Sequence, residues 1–473
     1  MAVTLNRPID WERADADTKK MLEGLQPNII KAHVRDYLTV LFVRFDDVAG
    51  GKKFLRALVE PQHGPLVKSA LTHLQEVRDF KANQVAGSAY VGVGLTHAGY
   101  EALGIPAAKR PKDQAFATGM RSAAKRAELK DPPVADFDPH FQGVIHAVVL
   151  VGDAEPGPAA AVLDKVRGLL PASVVVVGEE TGLGLHNGNG DGIEQFGYVD
   201  GRSQPLFLTD EITDAKLGSD GTNVWEPAFA PSRVIVKDLG APASAMSFGS
   251  YFVFRKLEQN VRLFKDHEEE LAKRLGLEGS DTERAGAMIV GRFEDGTPLT
   301  LQKADGNHNP VPNNFNYDSD PEGGKCPFFA HIRKVNPRGS TGDATERRHI
   351  MARRGQTYGT RADNPNDGNI DNKPTGGVGL LFMAFNADLA QQFEFAQASW
   401  ANNPAFPPVP AGANAPGIDL VMGQGQRPDI QCPKEWGSNP VTDGKITTAA
   451  PQAVTMKGGE YFFMPSLPFL ASL

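Results

Sequence analysis

The sequence predicts a mixed α and β fold in two domains, from its length and from the alternation of two kinds of segment. The chain has 473 residues, about three times the usual length of a single domain. Segments rich in Val, Phe and Tyr alternate along it with segments whose apolar residues have helical spacing. This alternation occurs in a doubly wound parallel sheet and equally in antiparallel sheets built from split βαβ units. The residues alone leave both kinds of sheet open.

Individual elements follow from short apolar runs and from helical periodicity. Strands are predicted where Val, Phe and Tyr dominate, at residues 37–45, 89–95, 143–151, 173–178, 249–255 and 379–386. A helix is predicted at residues 156–170, which have a proline in the first turn. Another is predicted at residues 257–275, where Leu257, Val261, Phe264, Leu271 and Leu275 share one face and charged residues occupy the other.

Composition and charge restrict the class of ligand. Hydrophobic residues make up 41% and charged residues 22% of the chain, which is ordinary for a folded globular protein. The net charge of −8, from 49 basic and 57 acidic side chains, argues against nucleic acid or an anionic membrane as the partner. With only Cys326 and Cys432 present, a disulfide framework, an all-cysteine zinc site and an iron–sulfur cluster are excluded. A small-molecule ligand is expected.

Targeting signals are not visible in the sequence. The first dozen residues have no apolar run after a basic start, so a cytoplasmic location is predicted. The densest apolar run, residues 144–151, is interrupted by His146 and is far shorter than the ~18 residues of a membrane helix. No membrane span is expected.

The common short catalytic motifs are missing. No G-x-G-x-x-G stands between a strand and a helix, which argues against a dinucleotide-binding domain. Residues 187–192 are similar to the start of a calcium loop, but the twelfth position is Tyr198 instead of the bidentate Glu that such a loop requires. A turn-rich loop is the preferred interpretation there.

Three segments place charged residues in apolar or turn contexts. In residues 194–205, Asp200 is either a plain turn residue before a glycine or an acid–base carboxylate on a rigid loop. In residues 326–338, His331 is either a hydrogen-bonded core residue or an axial ligand, in which case Arg338 suits a carboxylate of the cofactor. In residues 347–359, apolar neighbours suggest that some of the arginines are buried, and a buried arginine needs an anion.

These segments together carry a family resemblance. Residues 196–201, Phe-Gly-Tyr-Val-Asp-Gly, resemble the G-x-x-D-G signature of the dye-decolourising peroxidases, a haem family. Residues 330–338 and then Arg353-x-Gly-x-x-Tyr-Gly resemble its proximal and distal haem segments, in the same order. Further similar stretches lie at residues 25–31, 379–382, 392–395 and 459–466. The resemblance spans nearly the whole chain and is strongest to the longer forms of the family, found in cyanobacteria and fungi.

The resemblance implies an α+β fold made of two ferredoxin-like halves, each an antiparallel β-sheet with peripheral helices, of the dimeric α+β barrel type. It implies an N-terminal domain at residues 1–220 that carries the G-x-x-D-G loop. The C-terminal domain, residues 221–473, would hold most of the haem. This expectation favours the antiparallel alternative over the doubly wound sheet.

The resemblance also implies a cofactor site with one haem b per chain. His331 would be the axial ligand of the haem iron, with its Nδ1–H donated to a carboxylate. Asp419 is the expected partner, and Asp388 and Glu394 are the rivals. Arg338 would pair with a haem propionate. Leu380 and Phe382 would cover the distal pocket, and Gly201 and Ser203 are counted with the cofactor-binding residues.

The implied activity is peroxide reduction. Asp200 would take a proton from hydrogen peroxide and return it to the outer oxygen, so that water leaves and an oxoferryl porphyrin radical remains, while Arg353 stabilises the developing charge. Dyes, phenols and other bulky donors would be oxidised, and a carboxylate base, with a reference pKa of about 3.9, would allow turnover at acidic pH. A haem-handling or iron-handling protein on the same fold is the alternative. A third hypothesis is a haem-free structural or interaction module in which His331 is an ordinary core histidine. A homo-oligomer is compatible with all three hypotheses.

Overall fold

A computed structural model describes residues 3–60, 64–217, 224–242, 244–365, 368–409 and 416–473. The strands are β1 (Tyr37–Phe45), β2 (Tyr90–Leu95), β3 (Ala147–Asp153), β4 (Val174–Leu183), β5 (Leu185–His186), β6 (Gly192–Ile193), β7 (Val236–Lys237), β8 (Phe248–Gln259), β9 (Ala352–Arg353), β10 (Gln356–Tyr358), β11 (Gly379–Asn386), β12 (Ile430–Pro433), β13 (Lys445–Thr448) and β14 (Val454–Met464).

The α-helices connect these strands and cover the sheet. They are α1 (Ala16–Gly24), α2 (Val48–Ala57), α3 (Ala70–Asn83), α4 (His97–Ala102), α5 (Gln114–Thr118), α6 (Ala123–Leu129), α7 (Pro139–Gln142), α8 (Pro156–Gly168), α9 (Thr209–Leu217), α10 (Val261–Leu275), α11 (Glu283–Val290), α12 (His331–Val335), α13 (Asp343–Glu346) and α14 (Leu467–Ala471). Two π-helical segments follow β11, at Ala390–Glu394 and Ala396–Ala401.

The main sheet has the strand order β4-β1-β3-β2-β14-β8-β11-β10, and the pairings along it are antiparallel. Within each half, the fourth strand lies beside the first, then the third and the second, which is the order of a split βαβ unit. The antiparallel ladders confirm the α+β fold class and exclude the doubly wound parallel sheet.

The two halves share one sheet and a main core to which both contribute. The joining ladder is short, with Phe463 of β14 opposite Leu95 of β2. In the core, Phe42 of β1 packs against Phe254 of β8 with ring centroids 5.1 Å apart. At the other seam, the Gln356 side chain of β10 donates to the carbonyl of Asp36 at 2.7 Å, just before β1. The predicted domain boundary at residue 220 lies outside the described residues and stays a prediction.

The predicted strands and helices differ from the observed ones mainly at their ends. Strand β1 and strand β11 have the predicted bounds. Strand β3 begins at Ala147 instead of residue 143, because the preceding segment turns outward and leaves Val144 exposed. Strand β8 continues through Leu257 to Gln259, so α10 begins at Val261, where the Asn260 side chain accepts from the backbone N–H of Leu263.

No helix in the described part of the chain is long and apolar enough to cross a membrane.

Candidate active site

A cavity of about 610 Å³ lies where β8, β11, α12 and the segment 194–204 meet. That volume is in the range of small-molecule and cofactor sites. The predicted site residues that line it are Asp200, Gly201, Ser203, His331, Arg338, Arg353, Leu380 and Phe382. Asp419 lies behind His331 and hydrogen bonds to it. The structure therefore brings together residues that are up to 219 positions apart in the sequence (419 − 200).

His331 is the first residue of the short helix α12 and is paired with a buried carboxylate. Its Nδ1 lies 2.8 Å from Oδ2 of Asp419, and Oδ1 of Asp419 accepts the backbone N–H groups of Val421 and Met422. Burial lowers the pKa of His331, but the charge and hydrogen bond of Asp419 more than offset this, so its pKa is raised. Because Nδ1 donates to Asp419, Nε2 carries the lone pair, and it makes no hydrogen bond to a residue that the structure describes.

The two rival carboxylates have other partners. Asp388 accepts the backbone N–H of Gln391 through Oδ1 and so caps the following turn. Glu394 is buried, where it accepts from Nζ of Lys125 at 2.6 Å and from the hydroxyl of Tyr461 at 2.9 Å. Neither contacts His331 in the structure.

Asp200 and Arg353 face each other across 3.8 Å, from Oδ1 to Nη1. Arg353 is held by the Asp200 loop itself, because its Nη2 donates to the carbonyl of Arg202 at 2.6 Å and its backbone N–H donates to the side-chain oxygen of Gln204. Both side chains stay accessible from the cavity, with 40% of Asp200 and 32% of Arg353 exposed. A carboxylate and a guanidinium are thus presented together to any molecule in the cavity.

The loop that carries Asp200 is shaped by a half-buried glutamate. The carboxylate of Glu194 accepts the backbone N–H groups of Phe196 and Tyr198, at 2.9 and 3.0 Å. Burial raises the pKa of Glu194 to about 7. Gly201, with a φ of +76°, follows Asp200, and a Cβ there would meet no atom within 4 Å, so the glycine is required by its backbone conformation and not by lack of space.

Two buried guanidinium groups line the cavity without a carboxylate partner. Arg338 donates to four neutral oxygens, the carbonyls of Asn313 and Phe315, the side chain of Asn313 and the hydroxyl of Ser203. Arg292 donates to the carbonyls of Gly296 and Pro312, each at 2.8 Å. Neither forms an ion pair with a residue of the described ranges, and burial lowers the pKa of Arg338 to about 9 and that of Arg292 to about 10. Buried cations without a carboxylate partner favour the binding of an anionic ligand.

The apolar part of the wall comes from β11. Leu380 and Phe382 are two positions apart and therefore share one face of the strand, directed to the cavity, while Leu381 and Met383 are fully buried on the other face. The ring of Phe393, from the π-helical segment, lies 6.0 Å from that of Phe382 and extends the same wall.

Several contributors to the site were not among the sequence candidates. They are Glu194, Gln204, Arg292 and Asn313, which hold the Asp200 loop or add buried charge. Each is a single polar residue in a loop or at a helix end, so no local pattern distinguishes it from a solvent-exposed one. For Glu194 and Gln204, the one indication in the sequence was that they stand close to Asp200.

The sheet order and the cavity define an α+β protein of paired ferredoxin-like halves with a histidine–carboxylate pair in a cofactor-sized cavity. Residues 25–183 match the family model of the DyP dimeric alpha+beta barrel domain. The chain is 56% identical to the multifunctional dye peroxidase DyP2 of Amycolatopsis sp., over the whole of both chains. The solved structure of DyP2 from Amycolatopsis superposes with a TM-score of 0.95 at 55% identity, and covers both chains completely.

A second solved structure, the DyP-type peroxidase of Anabaena sp., has a TM-score of 0.88 and 34% identity, and covers 98% of this chain and 97% of its own. The chain therefore belongs to the dye-decolourising peroxidase family, as its sequence motifs predict, and it is an oxidoreductase.

Proposed function

We propose that this peroxidase binds one haem b in the cavity, with Nε2 of His331 as the axial ligand of the iron, and uses it to reduce hydrogen peroxide to water. The observation that carries the proposal is the His331–Asp419 pair, which leaves an imidazole lone pair at the cavity. A metal-ligating histidine typically donates its other ring N–H to a carboxylate, which fixes the ring and raises its basicity.

The rest of the cavity fits the same cofactor. Haem is a large, flat, mainly apolar group with two carboxylates at one edge. Leu380, Phe382 and Phe393 supply apolar contact, and the buried cations Arg338 and Arg292 supply charge for the propionates. Because protein oxygens already accept the described hydrogen bonds of Arg338, its contribution to propionate binding would come mainly from its charge.

When bound, haem would supply the two electrons that reduce the peroxide O–O bond, one from the iron and one from the porphyrin, and would recover them from donors one at a time. Asp200 would accept the proton from one oxygen of the peroxide and deliver it to the other oxygen, which leaves as water. Arg353 would stabilise the negative charge that develops on the peroxide, from a position fixed by the carbonyl of Arg202. Leu380 and Phe382 would limit the entry of water.

The donors that we propose are dyes, phenols and other bulky aromatic compounds. Activity at acidic pH is expected, because a carboxylate base remains ionised at a lower pH than an imidazole base, with reference pKa values of about 3.9 and about 6.5. The cytoplasmic location and the homo-oligomer also stay predictions.

Haem titration and peroxide turnover test the proposal. The purified protein should develop a Soret band on addition of haem and oxidise a phenolic donor only when peroxide is present. His331→Ala should bind haem weakly or with a water-ligated spectrum. His97→Ala, which changes a histidine of α4 that does not line the cavity, serves as the control.

Three outcomes distinguish the alternatives. Full haem occupancy with an unchanged spectrum in His331→Ala would overturn the axial ligand. Haem binding without peroxide turnover in the wild type would favour a haem-handling or iron-handling protein. No Soret band in the wild type would leave His331 as a core histidine of a haem-free module.

A further inference from the structure

A buried lysine lies one turn after His331 on the same helix. The side chain of Lys334, in α12, is completely buried. Its Nζ donates to the carbonyl oxygens of Asn403 and Gly417, each at 2.7 Å, and to that of Phe406. The three N–H bonds of the ammonium group are therefore all used by backbone carbonyls.

This lysine lacks a direct counter-ion. Lys334 forms no ion pair with a carboxylate in the described ranges of the chain, and Asp419 is the acidic residue that influences it through space. A buried ammonium group is costly, and three carbonyl oxygens compensate that cost only while they are held in a converging arrangement. The contact thus restrains the segment that supplies those carbonyls.

The restrained segment is the one that carries the histidine's partner. Gly417, which accepts from Lys334, is two residues before Asp419. The backbone N–H of Asp419 donates to the carbonyl of Ala401, at the end of the π-helical segment that precedes Asn403. Helix α12 and the Asp419 segment are therefore joined twice, by the His331–Asp419 hydrogen bond and by the Lys334 ammonium group.

We propose that Lys334 is a positioning residue that sets the geometry of the His331–Asp419 hydrogen bond, and through it the electron donation of Nε2 to the haem iron. This inference rests on the proposed function, because it assigns to Lys334 a role toward the axial ligand. A well-aligned carboxylate gives the imidazole more anionic character, which stabilises ferric over ferrous iron. Loss of the Lys334 contacts lets the Asp419 segment move relative to α12 and weakens that effect.

A second contact fixes α12 independently. Arg333 is also buried, and it donates to Oδ2 of Asp320 and to the carbonyl of Asp320, each at 2.7 Å. Because Arg333 holds the helix to a different part of the chain, removal of Lys334 should leave the helix in place and release mainly the Asp419 segment. The effect of Lys334 on the haem can then be separated from loss of the helix.

The test is a double-mutant cycle read by the midpoint reduction potential of the ferric–ferrous haem couple. Lys334→Met keeps the aliphatic length and removes the ammonium group, and Asp419→Asn removes the carboxylate. Both should shift the potential to more positive values, Lys334→Met by less. In the Asp419→Asn background, Lys334→Met should produce no positive shift, because that effect passes through the carboxylate, and loss of the lysine charge by itself lowers the potential.

Lys373→Met is the control for loss of a buried ammonium group elsewhere, since Nζ of Lys373 donates to the carbonyl of Asn364 at 2.6 Å and, unlike that of Lys334, also pairs with Asp363 at 3.5 Å. It should keep the wild-type potential. If Lys334→Met does not fold, Lys334→Gln, which retains one donor group, takes its place. Its potential should shift to more positive values by less than that of Asp419→Asn.

Two results would overturn the inference. One is a Lys334 variant, Met or Gln, that keeps the wild-type potential. The other is a shift by Lys334→Met that is equally large with and without Asp419. Absence of haem binding in the wild type would instead overturn the proposed function, and the inference with it, so the two failures are distinguishable.

Discussion

At the scale of single residues, Arg353 depends on the loop whose carboxylate it faces. The carbonyl of Arg202 and the side chain of Gln204 hold it, and both belong to the turn that follows Asp200. A change in this loop therefore displaces the base and the cation together. The two side chains should be separable by substitutions that leave the loop backbone intact.

Asp200→Asn should slow the oxidation of the haem protein by peroxide by ~10²–10⁴-fold, the usual contribution of a residue that transfers a proton. Arg353→Leu should slow it by about 10²–10³-fold, as expected for the loss of one charge-stabilising donor. Stopped-flow absorbance at the Soret band measures both rates. Asp36→Asn is the control, because Asp36 lines the same cavity but contacts neither residue.

An Asp200→Asn protein that reacts at the wild-type rate would contradict the role of Asp200. Arg353 or water would then be the group that transfers the proton. The control should react as the wild type does. Soret absorbance before mixing shows whether each variant is equally loaded with haem.

The candidate residues that could be named from sequence were those in recognisable motifs. Asp200 and His331 stand in segments whose order along the chain is itself informative, which is why they could be selected. Arg292 and Asn313 could not be named, because their value lies in the hydrogen bonds that Asn313 accepts from Arg292 and from Arg338, and contacts between distant segments leave no local pattern. Asp419 could be named as the partner of His331, 88 positions away, only through the family resemblance, because no local pattern joins the two residues.

At the scale of elements, the Asp200 loop requires a left-handed glycine. Gly201 has a φ of +76°, which costs an L-residue about 1 kcal/mol or more. Gly201→Ala should therefore lower the free energy of unfolding by about 1 kcal/mol and reduce the rate of the peroxide reaction, because the strain is relieved by movement of the adjoining Asp200.

Gly157→Ala is the matched control, since Gly157 lies in helix α8, has no positive φ and has open space where a Cβ would be. It should be neutral or slightly stabilising. Chemical unfolding and stopped-flow mixing give the two readouts. A Gly201→Ala protein with wild-type stability and rate would show that the loop tolerates an L-residue without moving.

The strands illustrate what local sequence can determine. The apolar runs of β1 and β11 were sufficient to give their bounds, because their buried residues form an almost continuous pattern. The end of β8 could not be predicted from local sequence, since Leu257 fits both a strand and a helix. Pairing with Leu380 keeps Leu257 in the strand, and the Asn260 cap starts the helix after it. The order of strands in the sheet comes from pairings between distant segments, on which periodicity gives no information.

At the scale of the whole molecule, the proposed activity at acidic pH is opposed by the loss of stability in acid expected from three histidines. The rings of His33 and His73 stack 4.8 Å apart, and the ammonium group of Lys68 lies 3.1 Å from Nε2 of His33. Burial, followed by the charge of Lys68, lowers the pKa of His33 to about 4. Burial, followed by His33 and Lys68, lowers the pKa of His73 to about 3. Burial also lowers the pKa of His267, in α10, to about 4.

The sign of the effect on stability follows from these depressed values. In the unfolded chain a histidine takes up a proton below its reference pKa of about 6.5, while in the folded protein these three remain neutral down to about pH 4. Unfolding therefore takes up protons in that window. The stabilisation is complete above pH ~6.5 and is lost as the pH falls toward the folded values, at up to about 1.4 kcal/mol per pH unit for each histidine.

We expect His73→Phe to reduce this pH dependence, because it keeps an aromatic ring against His33 but removes a group that the unfolded chain protonates. Urea unfolding of wild type and variant between pH 7 and pH 4 measures the slope of the free energy of unfolding. His186→Phe, at an exposed position, should retain the wild-type slope. Equal slopes in all three proteins would assign the acid instability to carboxylates instead. If the histidines are responsible, His73→Phe should also stay folded and hold its Soret band at a lower pH, so that peroxide turnover persists further into acid without any change at Asp200.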